Sequence, residues 1–276
     1  VGDVDNAFLL GLTYSIGAFY CSPHLPTLQK ILVKLLHEMA NHKRIGTLHS
    51  TMSYFDACTD LIGNDRSFNI DARIEMKTNE ELYHTAEQSQ NSFLMHHTIL
   101  NEMHVHFYFR EYLPVANLAM KYQTSTGAKR CLDCLHIFYE GMSALCLARD
   151  TKQTKWRDLG KKSIEAMAHL VQLSTWNFGH KYDLLQAELH YLDDRHDLAE
   201  RSYQDSIRSA RNHKFIQEEA LACELYGIYL VENRQFEKGM AQLQMAMNKY
   251  KQWGTLKKAN DVVEFMEFIN QPSPFL

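Results

Sequence analysis

Residues 213–239 read HKFIQEEALACELYGIYLVENRQFEKG. Gln217, Glu218 and Glu219 stand at the front, where acidic groups complement the positive end of a helix. From Ala220 to Val231 the run carries one charge, Glu224. Gly227 is followed twelve positions on by Gly239. A surface helix shows one apolar stripe; a helix apolar nearly all round has neighbours on several sides. Glycines at a fixed interval mark places where two backbones come close.

Working outward, residues 187–206 align with 227–246 at an offset of 40. Ala187 then falls on Gly227, Ala199 on Gly239 and Ser206 on Ala246, so small residues recur at three places. His196 falls on Phe236, and Tyr203 falls on Leu243, four positions after the second small residue. In a helix pair, a small residue of one helix faces a small residue of the other, and a bulky side chain one turn on fills the gap. This succession of small, small, large and small residues resembles the tetratricopeptide repeat, stretched from its usual length of about 34 residues. Gly2 to Ala7 reads as the turn and second helix of another such unit, so the chain is expected to begin halfway through a repeat of something longer. Arg110-Glu111-Tyr112 reads as a further turn of the kind, with less regular small positions at Val115 and Ala119.

Helical periodicity predicts helices over 3–21, 25–42, 44–62, 79–88, 90–109, 111–124, 129–149, 154–174, 178–193, 196–212, 215–232, 235–252 and 255–269. Turn signals separate them, among them Ser22-Pro23, Gly63-Asn64-Asp65, Thr126-Gly127, Asp193-Asp194, Asn233 and Gly254. Residues 63–78 form the one long stretch without clear periodicity, and no strand alternation appears. The expected fold is all-α: antiparallel helix hairpins stacked as a right-handed tetratricopeptide-like superhelix, an α-solenoid. It is read as one domain over 1–276, clearest in the repeats 178–212 and 215–252.

Composition agrees. The 276 residues are 45% hydrophobic and 22% charged, enough to bury a large core. Five Pro and twelve Gly are few for an all-β chain. The net charge of −4 gives no global case for nucleic acid or an anionic membrane, and no run of 18 uncharged apolar residues crosses a bilayer. Cys21, Cys58, Cys131, Cys134, Cys146 and Cys223 all lie in apolar, helix-like surroundings. They read as reduced, buried thiols of a cytoplasmic protein rather than a disulfide framework.

Three blocks carry a family resemblance. They are Trp176-Asn177-Phe178-Gly179-His180-Lys181-Tyr182 followed by Ala187-Glu188, then residues 215–225, then Tyr250-Lys251-Gln252-Trp253-Gly254 followed by Lys258 and Val262. In order and spacing they resemble the tetratricopeptide-like helical region of large multidomain signalling proteins. In that family the region follows a kinase-like domain and an AAA-type ATPase domain, and precedes GAF sensor domains and a histidine kinase or other output enzyme. The resemblance is strongest over 174–265 and weak over 63–170. It implies a scaffold or regulatory arm with protein partners, since the family's catalytic residues lie in flanking domains. No phosphate-binding Gly-Lys-Ser/Thr loop and no kinase catalytic loop occurs here, and no cofactor is expected.

Other constellations have local readings. Cys131-Leu132-Asp133-Cys134 lacks a second ligand pair and falls inside an expected helix, so it reads as core thiols rather than a zinc or redox site. Asp193-Asp194-Arg195-His196-Asp197 matches the aspartate-rich motif with which all-α terpene synthases hold magnesium. The repeat alignment instead puts it at a turn, and no second metal motif accompanies it. His96, His97, His104 and His106 read as a partly exposed stripe, with metal binding or pH sensing as the functional alternative. Lys152, Lys155, Arg157, Lys161 and Lys162 read as a solvated face or a contact for an acidic partner. Met240, Met245 and Met247 read as core.

Glu224 raises a sharper question, because a lone buried charge is costly. The first helix of each pair lines the concave face of such an array. The register places Lys181, Glu188 and Tyr191 on that face in one repeat and Glu224, Ile228 and Val231 in the next. These six are the candidate partner-binding groove. A contact of Glu224 with Lys181 or His180 is expected between adjacent pairs.

Overall fold

The computed structural model describes residues 3–21, 24–65, 70–124 and 132–270. Among the described residues there are thirteen α-helices and no strand. In chain order they are α1 (Val4–Cys21), α2 (Leu25–Asn41), α3 (Ile45–Ile62), α4 (Asn79–Gln88), α5 (Ser92–Tyr108), α6 (Tyr112–Thr124) and α7 (Asp133–Thr151). There follow α8 (Thr154–Leu173), α9 (Thr175–Leu192), α10 (His196–Asn212), α11 (Ile216–Glu232), α12 (Phe236–Trp253) and α13 (Leu256–Asn270). Each segment read from periodicity has its helix, with ends shifted by at most four residues. Gly2, the signals at Ser22-Pro23 and Thr126-Gly127, Cys131 and the tail 271–276 lie outside the described residues.

The turns are built alike. Lys43, Gln90, Arg110, Asp194, Lys214 and Arg234 take left-handed conformations with φ between 53° and 66°. In each, the next residue's amide bonds a carbonyl five positions back, as in Arg195 N to His190 O at 2.9 Å and Gln235 N to Leu230 O at 2.8 Å. Such bonds satisfy carbonyls that the helix end would leave orphaned. Asp194, Lys214, Arg234 and Gly254 are left-handed at intervals of twenty residues. Two such intervals make one hairpin, which is the physical origin of the offset of 40 in the sequence.

The glycines do what their spacing predicts. A Cβ at Gly239 would stand 2.6 Å from Val231 Cγ2 and 2.9 Å from the Gly227 carbonyl oxygen. A Cβ at Gly227 would stand 2.8 Å from Leu243 Cγ. The backbones of α11 and α12 therefore meet at Gly227 and Gly239, with Leu243 packed onto the gap. Gly141 and Gly160 let α7 and α8 approach in the same way, against Ser163 and Leu145. Every residue of α11 from Ile216 to Gly227 is buried.

Successive odd-numbered helices pack on one another from α3 through α11, and the even-numbered helices from α2 to α12 pack against them. The contact path then closes on itself. Helix α13 packs against α3, and Gly254, between α12 and α13, abuts Pro26 at the start of α2. In α11, Gln217 Nε2 donates to the Tyr20 carbonyl of α1 at 2.6 Å. One core cluster runs from Phe8 to Val262, with an aromatic hub of Phe19, Tyr20, Tyr108, Tyr139 and Trp253 around His104. No described helix is long and apolar enough to cross a membrane.

Candidate functional site

The odd-numbered helices bring the charged members of the candidate groove into ion pairs with their own chain. Helix α9 carries Lys181 and Glu188 one above the other, and α11 carries Glu218 and Glu224. Lys181 Nζ lies 2.7 Å from Glu218 Oε1 and 3.0 Å from His180 Nε2, between the faces of Phe138 and Phe215. As His180 Nε2 faces an ammonium, it accepts. Burial and the adjacent Lys181 push the His180 imidazolium well below its ordinary range, which keeps the ring neutral.

Glu188 takes Arg149 Nη1 at 2.6 Å and the Tyr203 hydroxyl at 2.6 Å. The Arg149 guanidinium also lies over the Tyr191 ring. Glu224, 1% exposed, takes Lys258 Nζ at 2.6 Å, the Tyr250 hydroxyl at 2.6 Å and the Arg110 guanidinium. Asp261 receives Lys258 Nζ at 2.7 Å and Arg110 Nη2 at 2.9 Å. Burial lowers the Lys258 ammonium from its ordinary range, and Glu224 pulls in the opposite direction.

Ion pairs with a buried carboxylate thus bridge α7 to α9, α9 to α11, and α11 to α13 with the α5–α6 turn. This corrects one expectation. Lys181 pairs with Glu218 and Glu224 with Lys258 and Arg110, so the expected contact of Glu224 with Lys181 or His180 does not form. Lys181 meets the carboxylate six residues earlier because Glu218, near the start of α11, lies level with it. Gln217, Glu218 and Glu219 are also buried with specific partners, Glu219 holding Arg211 at 2.7 Å and Lys249 at 2.9 Å. The sequence signal for this was the acidic run itself, read only as a helix-end charge.

Of the other groove residues, Tyr191 is half-buried and donates to Glu232, and Ile228 is half-buried. Val231 packs toward Gly239 of its own partner helix. Asp193 and Asp194 lie at the turn between α9 and α10, as the alignment predicts. Asp193 is held by Arg157 at 2.6 Å and Arg195 at 2.8 Å. Among the described residues no group of three His, Cys, Asp or Glu is placed to hold a metal ion.

The four histidines do not form the expected partly exposed stripe: His96, His97 and His104 are buried, and His106 alone of the four is half-exposed. His97 meets the Tyr54 hydroxyl and His104 Nδ1 lies 2.6 Å from the Tyr139 hydroxyl. Helix α5 is inserted between α3 and α7, so both of its faces are covered. Cys58, Cys146 and Cys223 are buried, Cys134 is half-buried in the first turn of α7, and Cys21 is exposed at the end of α1. The latter two depart from the expected core thiols because each stands at a helix end. In the basic cluster Arg157 is paired, while Lys152, Lys155, Lys161 and Lys162 are exposed. Met247 is buried, and Met240 and Met245 pack partly buried against the core.

No protein-family model, curated protein or solved structure matches the chain.

Proposed function

We propose that the chain is a non-catalytic interaction and regulatory module of a multidomain signalling protein, relaying between an ATPase domain and an output enzyme in the cytoplasm. Its hairpins stack as a right-handed tetratricopeptide-like superhelix. The observation that carries this reading is the twenty-residue recurrence of left-handed turn residues at 194, 214, 234 and 254. It coincides with glycine contacts inside a hairpin, the construction of a repeat array. In such arrays the scaffold is rigid and its surface docks other proteins. The buried pairs of Lys181, Glu188 and Glu224 then set the angle between repeats. Tyr191 and Ile228, half-buried on the inner helices, are the groove residues a partner touches.

Cross-linking of the full-length protein tests the reading. Exposed lysines such as Lys152, Lys161 and Lys214 are expected to link to flanking domains, in a pattern that changes when ATP is added. Full-length protein whose links never leave residues 1–276 would sink the relay. A magnesium-dependent rise in thermal stability that Asp193→Asn abolishes would argue for an enzyme instead.

A further inference from the structure

Outside the inner face, a groove of about 490 Å³ runs along the outer surface between α10 and α12, with α11 as its floor. Tyr226 forms the floor, and Ile207 and Met245 form apolar walls. Arg208, Arg211 and Lys238 stand along the same groove. Arg208 meets Asp205, yet its side chain stays 69% exposed. Arg211 meets Glu219 through Nε and stays 51% exposed, its two terminal amino groups without a partner among the described residues. Among the described residues Lys238 Nζ donates only to the Gln235 side-chain carbonyl, at 2.8 Å.

Gln242 also lines this groove, its Oε1 buried without a hydrogen-bond partner among the described residues.

We propose that this outer groove docks an acidic peptide segment, an apolar side chain seated over Tyr226 between Ile207 and Met245 and flanking carboxylates facing Arg208, Arg211 and Lys238. The proposal rests on the interaction-module reading and names a surface and partner chemistry for it. Three cations around an apolar floor complement alternating carboxylates and apolar groups. A nucleic acid fits less well, because the floor is apolar and the chain carries a net charge of −4.

The test is fluorescence anisotropy on the whole chain with short labelled peptides alternating Glu with Leu or Phe. The expected result is saturable binding that weakens as salt rises. Arg208→Glu with Lys238→Glu should weaken it about tenfold or more, and Ala241→Trp, at an exposed position, should block the groove without changing charge. Lys155→Glu with Lys161→Glu, on the other basic cluster, should leave binding unchanged. All these positions are exposed, and equal melting temperatures would show that the fold is intact. The proposal is overturned if no peptide binds, if polyglutamate binds as tightly, if a single-stranded oligonucleotide competes, or if the groove variants bind like the parent. Any of these leaves the module reading standing as long as the cross-links to flanking domains appear.

Discussion

His104 sits where five aromatic residues from four helices converge, its Nδ1 bonded to Tyr139 and its Nε2 buried without a partner among the described residues. Burial, with the Lys181 charge second, pushes its imidazolium down to about 3. The unfolded chain therefore binds this proton at a pH where the folded chain does not. The contribution to stability is fully present above the ordinary histidine value and is lost as pH falls toward the folded value. The loss amounts to about 2 kcal/mol near pH 5. Urea midpoints at neutral pH and near pH 5 should fall less steeply for His104→Gln than for the parent; equal slopes would refute a neutral His104. Asp183 works with the opposite sign. Burial, then the nearby Asp205, raise its carboxyl to about 6, partly offset by Arg208. Its penalty is absent below the ordinary aspartate range and grows as pH rises through the folded value. Asp183→Asn should therefore stabilise the protein above pH 7 by about 1–2 kcal/mol, after allowance for solvent screening, and do little near pH 4. A gain independent of pH would mean that the charge is not the cause.

Between residues and fold stands the helix hairpin, and there the glycines separate into two kinds. At Gly239 an added methyl meets Val231 and the Gly227 carbonyl, so Gly239→Ala should part α11 from α12 and cost about 2–3 kcal/mol. At Gly17 of α1 an added Cβ meets nothing within 4 Å, so Gly17→Ala should stabilise by about 0.5–1 kcal/mol through helix propensity alone. Thermal melts of the two variants moving in the same direction would contradict the packing account. This level was the legible one. Small residues at a fixed interval and an all-apolar α11 can be read from the chain, because both are local consequences of close approach. The Gly141 and Gly160 pair obeys the same physics and was missed, since its spacing differs from that of the later hairpins. The partners of Gln217, Glu218 and Glu219 were illegible for another reason. A carboxylate near a helix start complements the dipole whether or not it is buried, so the sequence alone does not say which cation it meets.

At the scale of the molecule, closure depends on groups far apart in the chain. Arg110, in the α5–α6 turn, reaches Glu224 of α11 and Asp261 of α13, 114 and 151 positions away. Nothing local encodes such a meeting, so the sequence shows the hairpins but not that α13 returns to α3. The cluster is costly to break from one side, because removing Glu224 leaves Lys258, 0% exposed, with Asp261 alone. Glu224→Leu should therefore cost about 3–5 kcal/mol. Glu224→Leu with Lys258→Met removes both desolvated charges and leaves Arg110 with Asp261, so much of that loss should return. Hydrogen exchange gives the location: in Glu224→Leu the amides of α13 and of the α3 end beside it should exchange faster, while those of α9 and α10 keep their protection. Additive losses in the double variant would mean that the two charges are uncoupled. Uniform loss of protection would mean that α13 is no separate clasp, and that the array opens only by unfolding as a whole.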